Sequence, residues 1–368
     1  MNQPSQIAFE SPAQVSQAAA ARQRQRPFWI LFASLICIGI GQTLIFAVLP
    51  PAARDLGLSD VQVGSIFTVS AVLWVVMSPF WGRRSDALGR RPLILLGLGG
   101  YVADRTQPHE RGPQLALLGA AFALGTIVGP AVVAALLGFG LVAPFYGAGV
   151  LALISAATVA LWLPDSKPMQ RRPQTPPRLS PLDRRVRPFL LVAVVVELSQ
   201  VIAMLAAGFY AMDVLRMEPT ASARSVGIML TGEAAAMLVA QLILIRLLQP
   251  SPRTMMVLGA GVGIVAFVII VFSRTYLPML AAMTLLGLGF GFLRPGFMAG
   301  SSLAVGVDEQ GGVAGLMSAT GGMAVIFAPF VGMSLYGLAP QAPYVVSAVL
   351  AAAVLLACFL HPQLRRAR

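Results

Sequence analysis

Ten apolar runs follow one another along the chain, at 28–49, 61–81, 113–137, 141–163, 189–211, 226–247, 255–273, 277–299, 313–335 and 341–360. A bilayer core needs roughly 20 residues of helix to cross it, and each run is about that length. A further apolar stub at 92–101 is too short, at about 1.5 Å of rise per residue. This succession leaves little room for anything but an all-α polytopic membrane protein. Composition points the same way: only 11% of residues are charged, against about 25% in soluble domains.

The charges lie between the runs. The net charge is +12, which by itself would suggest a nucleic-acid partner, but the arginines sit in short inter-run segments and form no basic face. Of 26 Lys and Arg, only Arg54, Arg216, Arg224 and Arg274 fall on outer segments when the N-terminus is placed inside, and only Arg294 lies in the interior of a run, Arg246 standing at the inner end of its own. The remainder fall on inner segments, so both termini belong in the cytoplasm. Residues 1–27 are polar and read as a disordered cytoplasmic N-terminus; no A-x-A-like cleavage site follows, so the first run is an uncleaved helix. Residues 164–188 are dominated by Pro and Arg and contain nothing that could form a core. They read as a cytoplasmic linker between an N-terminal membrane half, 28–163, and a C-terminal one, 189–360, with 361–368 as a cytoplasmic tail. Basic residues of the linker could also touch anionic headgroups. Cys37 and Cys358 lie in apolar runs and read as packing residues; His109 and His361 read as surface residues.

The two halves repeat. Glu309, Gly311, Leu316 and Pro329 stand 199 residues after Glu110, Gly112, Leu117 and Pro130. Earlier in each half the offset is 163: Val63, Gly64, Thr68 and Arg90 correspond to Val226, Gly227, Thr231 and Arg253. The difference of 36 residues places a deletion in the first half between Arg90 and Glu110. The second half keeps two extra crossings there, 255–273 and 277–299.

Between the second run and the stub lies a polar knot, Trp81-Gly82-Arg83-Arg84-Ser85-Asp86-Ala87-Leu88-Gly89-Arg90-Arg91-Pro92. It must lie outside the hydrocarbon, since a central Arg costs several kcal/mol to insert. Its two glycines suggest a tight turn. Gly82, Asp86, Gly89, Arg90 and Arg91 resemble, in register, the loop signature G-x-L-a-D-r-x-G-r-k of the major facilitator superfamily; Arg84 and Ala87 depart from it. The resemblance implies a major facilitator fold, with most of the third helix and all of the fourth of the usual twelve missing, leaving about ten transmembrane helices in two pseudo-symmetric halves. It also implies that the loop latches the halves in one state of the cycle, with Asp86 as the latch and Arg90 and Arg91 supporting it. The alternative is a basic loop that only sets topology.

Gly125, Gly129 and Pro130 are similar to the G-x-x-x-G-P part of the family's antiporter signature, although Val133 and Ala134 replace its final glycines. They read either as a helix bend or as small-residue packing. Two carboxylates lie inside runs, Glu197 and Glu233, and ionised carboxylates there are costly. Each must be protonated, paired or facing a wet cavity, so either could couple proton entry to substrate exit; the alternative is a structural hydrogen bond. Gln200, one turn from Glu197, shares its face. Arg294 would snorkel, pair with Glu197 or meet an anionic substrate. Asp213, near the outer interface, reads as a helix-end charge. The methionines read as core filling.

The resemblance implies a secondary active transporter in a bacterial inner membrane, closest to the drug:proton antiporters, exporting a small, partly apolar molecule against protons. Carriage of an organic anion, sugar or siderophore is the alternative within transport; a transport-incompetent remnant or membrane interaction protein is the alternative outside it. Losing two helices would open the cavity to lipid unless another subunit or the stub covers the gap. No G-x-x-x-x-G-K-[ST], H-E-x-x-H or Ser/His arrangement occurs, so the expectation is no enzyme, no metal and no cofactor beyond an ion gradient.

Overall fold

The computed structural model describes residues 12–88, 108–162, 179–306 and 309–367. Ten long helices fill it: α1 Pro12–Asp55, α2 Asp60–Leu88, α3 Pro108–Leu137, α4 Ala143–Trp162, α5 Arg187–Asp213, α6 Pro219–Leu248, α7 Pro252–Phe272, α8 Tyr276–Leu303, α9 Gln310–Leu338 and α10 Ala342–Leu360. A short α11, Pro362–Arg366, follows. No strand occurs among the described residues. Eight of the helices are long and apolar enough to cross a membrane, and α2 and α3 contribute the apolar stretches Asp60–Leu73 and Leu124–Leu137. Proline opens α5, α6, α7, α10 and α11, where its missing N–H costs nothing because the first helical amides are unpaired anyway. Ser251 caps α7, its hydroxyl accepting from the Thr254 amide.

The packing follows the repeat. In the first half α1 packs on α3 and α4; in the second, α5 packs on α9 and α10. The halves meet through α2 on α9 and α3 on α6. A Cβ on Gly227 of α6 would lie 3.3 Å from the Cβ of Pro130 on α3, and one on Gly64 of α2 would lie 2.8 Å from the Pro329 carbonyl on α9. Gly64 and Gly227 are repeat partners, as are Pro130 and Pro329, so one contact is made twice. Helices α7 and α8 have no counterpart among the described residues of the first half; α8 packs on α5, α6 and α7. The largest core cluster runs from Phe189, Leu205 and Phe209 on α5 through Met229 and Met283, and reaches Leu44 and Val48 on α1.

Four local expectations change. The helix through the polar knot does not turn at Gly82; α2 continues to Leu88, carrying Gly82 and Asp86 on its last turns. One glycine in a helix costs only about 1 kcal/mol, less than breaking the backbone ladder beside a membrane. Residues 12–27 are helical, as the alanines of Ala18-Ala19-Ala20-Ala21 favour. The end of the linker does join a core, with Val186 fully buried and Leu179 packed against it. The tail folds back as α11, burying Leu364, and the Ala367 carbonyl accepts from the Arg253 amide.

Candidate functional site

Glu197, Gln200, Glu233 and Arg294 come together from three helices. Glu197 and Gln200 stand on α5, Glu233 on α6 and Arg294 on α8. The Arg294 guanidinium donates to Glu197 Oε2 at 2.5 Å and to Gln200 Oε1 at 3.2 Å. Gln200 Nε2 in turn donates to Glu233 Oε1 at 3.2 Å. Gln200 is thus a relay, using its oxygen toward the cation and its amide toward the second carboxyl. The ion pair borders open space, with Arg294 keeping 40% and Glu197 15% of side-chain exposure. Glu233 is enclosed at 4%, and its Oε2 has no hydrogen-bond partner among the described residues.

The sequence around each group explains the approach. A Cβ on Gly287 would collide with the Glu233 carbonyl, and one on Gly291 would lie 2.7 Å from the Ala240 Cβ. Two glycines four apart let α8 lie directly on α6. Pro295 follows Arg294 inside α8 and brings no N–H to the ladder. Beyond Glu233, Ala240–Leu244 of α6 forms a π-helical turn, a feature common near functional sites.

Gly125, Gly129 and Pro130 lie elsewhere, on α3 where it crosses α1. A Cβ on Gly125 would collide with the Ile36 carbonyl, and one on Gly129 would lie 2.6 Å from Thr43 Cβ. Pro130 brings no N–H to the Thr126 carbonyl four residues back; the Thr43 hydroxyl donates there at 3.4 Å, shared with the Gly39 carbonyl at 3.1 Å. These three residues do not touch the carboxylate network, and their contacts are those of close helix packing. In the loop, Gly82 and Asp86 lie on α2, while Gly89, Arg90 and Arg91, like the stub at 92–101, lie outside the described residues.

A second polar cluster was missed in the sequence. At the far end of the bundle Arg54 of α1 pairs with Asp213 of α5, through its NH1 and, at 2.8 Å, its NH2, and with Asp60 of α2 at 2.9 Å. Tyr336 of α9 donates to Asp213 Oδ2 at 2.7 Å, and Arg54 lies over the Phe209 ring at 4.9 Å. Asp213 is therefore more than a helix-end charge: it ties α5 to α1 and α9, and Arg54 extends the cluster to Asp60 on α2. The signal available was that Arg54, Asp60 and Asp213 all fall at run ends on one side, which spacing cannot convert into contact.

On the linker side, Arg185 binds Asp183 at 2.8 Å and Glu309 at 2.9 Å. The guanidinium holds both carboxyls below the usual range, and the two carboxylates hold Arg185 protonated. Among the described residues no cluster of His, Cys, Asp and Glu could hold a metal ion.

Two repeated helical bundles, joined through paired glycine–proline contacts around an intramembrane ion pair, define a multi-pass membrane carrier. The chain belongs to the Major Facilitator Superfamily, whose profile matches residues 31–103, 99–223 and 198–368; the first join falls between Arg90 and Glu110. It is 27% identical over 368 residues to Multidrug resistance protein 2 of Bacillus subtilis (strain 168), covering 86% of this chain and 90% of that one. Identity is 24% to the class C tetracycline resistance protein of Escherichia coli, with coverage of 90% and 94%, and 22% to the quinolone resistance protein NorA of Staphylococcus aureus (strain COL), with 86% and 92%. Among solved structures, the nucleoside transporter NupG superposes with a TM-score of 0.69 at 13% identity, covering 91% of this chain and 98% of that one. The human organic anion transporter MFSD10 (TETRAN) gives 0.63 at 20% identity, with 90% and 99%. The protein is a secondary transporter of small molecules, on the drug-efflux branch of the family, and not an enzyme.

Proposed function

We propose that the chain exports small, partly apolar molecules across a bacterial inner membrane in exchange for protons, and that the Glu197–Arg294–Gln200–Glu233 chain couples the two fluxes. The observation that carries this is the unequal state of the two carboxyls. Glu197 has its cation; Glu233 is enclosed with one oxygen unpartnered. An anion so placed is expensive, while a protonated carboxyl carries no net charge to solvate. Proton loss from Glu233 creates a second buried anion, and Arg294, bonded to the same Gln200, is the cation set to answer it. Drawing Arg294 toward Glu233 releases Glu197 and shifts α8 against α5 and α6. Both of those helices also touch the first half, so the shift bears on the contacts between halves.

The Arg54 cluster supports an alternating cycle. It joins the halves at the end that positive-inside counting puts outside, so the arrangement described is closed outward, and release of cargo requires it to part. The resistance to multiple drugs, tetracycline or quinolones named for the relatives suggests the cargo class. The lone Arg294 facing open space would favour an organic anion instead, but it is already neutralised by Glu197.

Proteoliposomes with an imposed pH gradient and a panel of amphipathic cations test the reading. Glu233→Gln and Glu197→Gln are each expected to abolish pH-driven transport while counterflow exchange survives in at least one. Wild-type pH-driven rates in both variants would overturn the proposal. Transport of anions alone would replace the cargo assignment.

A further inference from the structure

A cavity lies on the outside of the bundle, and none of the four ion-pair-network residues lines it. A cleft of about 640 Å³ opens between the linker-side ends of α5 and α10 and is floored by α11. This is within the range of about 300–1,000 Å³ typical of ligand pockets. Its walls are apolar: Leu191 and Val195 from α5, Leu350 and Ala353 from α10. Its mouth is not, carrying Arg184 and Arg187 on one side and His361 on the other.

Three features say what fits. The polarity is graded along the helix axis, with cations at the end and about 12 Å of apolar wall between the levels of Arg187 and Val195, at 1.5 Å per residue. A soluble anion would need only the mouth; an acyl chain needs the wall as well. The cleft faces outward, since Leu191 keeps 57% exposure and Ala353 is also exposed, so its natural surroundings are lipid. The two arginines at the mouth are available: both described carboxylates nearby, Asp183 and Glu309, are held by Arg185, and neither Arg184 nor Arg187 pairs with a described acid. The positive end of the α5 dipole adds to the same field. Basic pockets between membrane helices suit anionic headgroups.

We infer that this cleft binds one anionic glycerophospholipid, its phosphate held by Arg184 and Arg187 and an acyl chain laid between α5 and α10. The inference needs the linker-side end of the bundle to lie at the membrane surface. It does not depend on the direction or coupling of transport, so the two can fail separately.

Native mass spectrometry of the full chain tests it, after delipidation and exposure to equal amounts of phosphatidylglycerol and phosphatidylcholine. The wild type should retain phosphatidylglycerol with about thirty-fold preference, as two surface-level arginines imply. The double variant Arg184→Gln/Arg187→Gln should bring the ratio near one. Ala353→Trp, which fills the wall without touching charge, should lower retention of both lipids. Arg216→Gln/Arg224→Gln, at the opposite end, should leave the preference unchanged. No preference in the wild type, an undiminished preference in Arg184→Gln/Arg187→Gln, undiminished retention in Ala353→Trp, or a loss of preference in the Arg216/Arg224 control would overturn the inference. So would full displacement by glycerol 3-phosphate, which would mark a site for a soluble anion.

Discussion

Helices α2 and α6 are repeat partners, yet the same face is open on one and sealed on the other. Ile66, Leu73 and Met77 of α2 are 43%, 57% and 39% exposed. Their partners 163 residues on, Met229, Ala236 and Ala240 of α6, are 0%, 7% and 0% exposed. The cover on α6 is α8, pressed down through Gly287 and Gly291. Among the described residues nothing seals the Ile66, Leu73 and Met77 face of α2. The chemistry differs with the cover. Glu233 corresponds to Ser70, an exposed hydroxyl that only bonds back to the Ile66 carbonyl at 2.8 Å. The coupling role proposed for Glu233 rests on enclosure and a nearby cation, and α8 supplies both. The half that lost a hairpin keeps its packing against the other half but has no site of this kind among its described residues.

The contrast can be broken most severely at Gly287. Replacing it with Leu should push α8 off α6, since a Cβ alone already meets the Glu233 backbone; overpacking of this kind costs typically 1–3 kcal/mol or more. Transport should fall below detection and the melting temperature should drop. Gly261→Leu on α7, where no atom lies within 4 Å of the added Cβ, should leave both near wild type. Equal effects of the two would remove α8 as the organising helix.

A smaller and more specific effect concerns the open face. In a chain with Cys37 and Cys358 replaced by Ser, Leu73→Cys should react with a lipid-soluble maleimide at least several-fold faster than Ala236→Cys. Equal slow labelling would mean that a second subunit or another segment covers α2 in the membrane, and the asymmetry would then belong to the isolated chain.

The outer cluster should respond more gently. Asp213→Asn removes the negative charge and one of the two acceptor oxygens that Arg54 and Tyr336 use, but leaves Arg54 with Asp60. Partly exposed ion pairs contribute about 1 kcal/mol or less, so a few-fold shift toward outward accessibility is expected, read by labelling of a cysteine placed at Thr43. Tyr336→Phe, losing one hydrogen bond worth about 1 kcal/mol, should give a lesser shift in the same direction. A shift toward inward accessibility would contradict the assignment of this cluster as an outward closure.

The smallest effect is one of pH at the linker. Asp183 and Glu309 have carboxyls held below their ordinary values of 3.8 and 4.5 by Arg185. A depressed folded value means a contribution present above the ordinary value and lost as pH falls through the folded one. Protection of the 179–186 segment from proteolysis should therefore be unchanged from pH 7 to pH 5 and decline only in stronger acid. Loss of protection between pH 7 and 5 would show that another group anchors the linker.

Much of this was written in one dimension. Hydrophobic length specified the ten helices, because a bilayer admits few other solutions. The internal offsets correctly paired Gly64 with Gly227 and Pro130 with Pro329, because related sequences fold into related packing. Rarity picked out Glu197, Glu233 and Arg294, since charge inside an apolar run is expensive enough to stand out. Local segments were less legible. The helix through Gly82, the helical start at Pro12, and the buried Val186 and Leu364 reflect packing and backbone pairing that residue type alone does not specify.

Only the tertiary structure decided who meets whom. That Gln200 bridges Arg294 to Glu233, and that Arg54 of the first half holds Asp213 of the second, depends on helix rotation and crossing within the bundle. Those are fixed by glycines such as Gly287 and Gly125 meeting backbone on another helix. A sequence records the small residue but not the surface against which it closes.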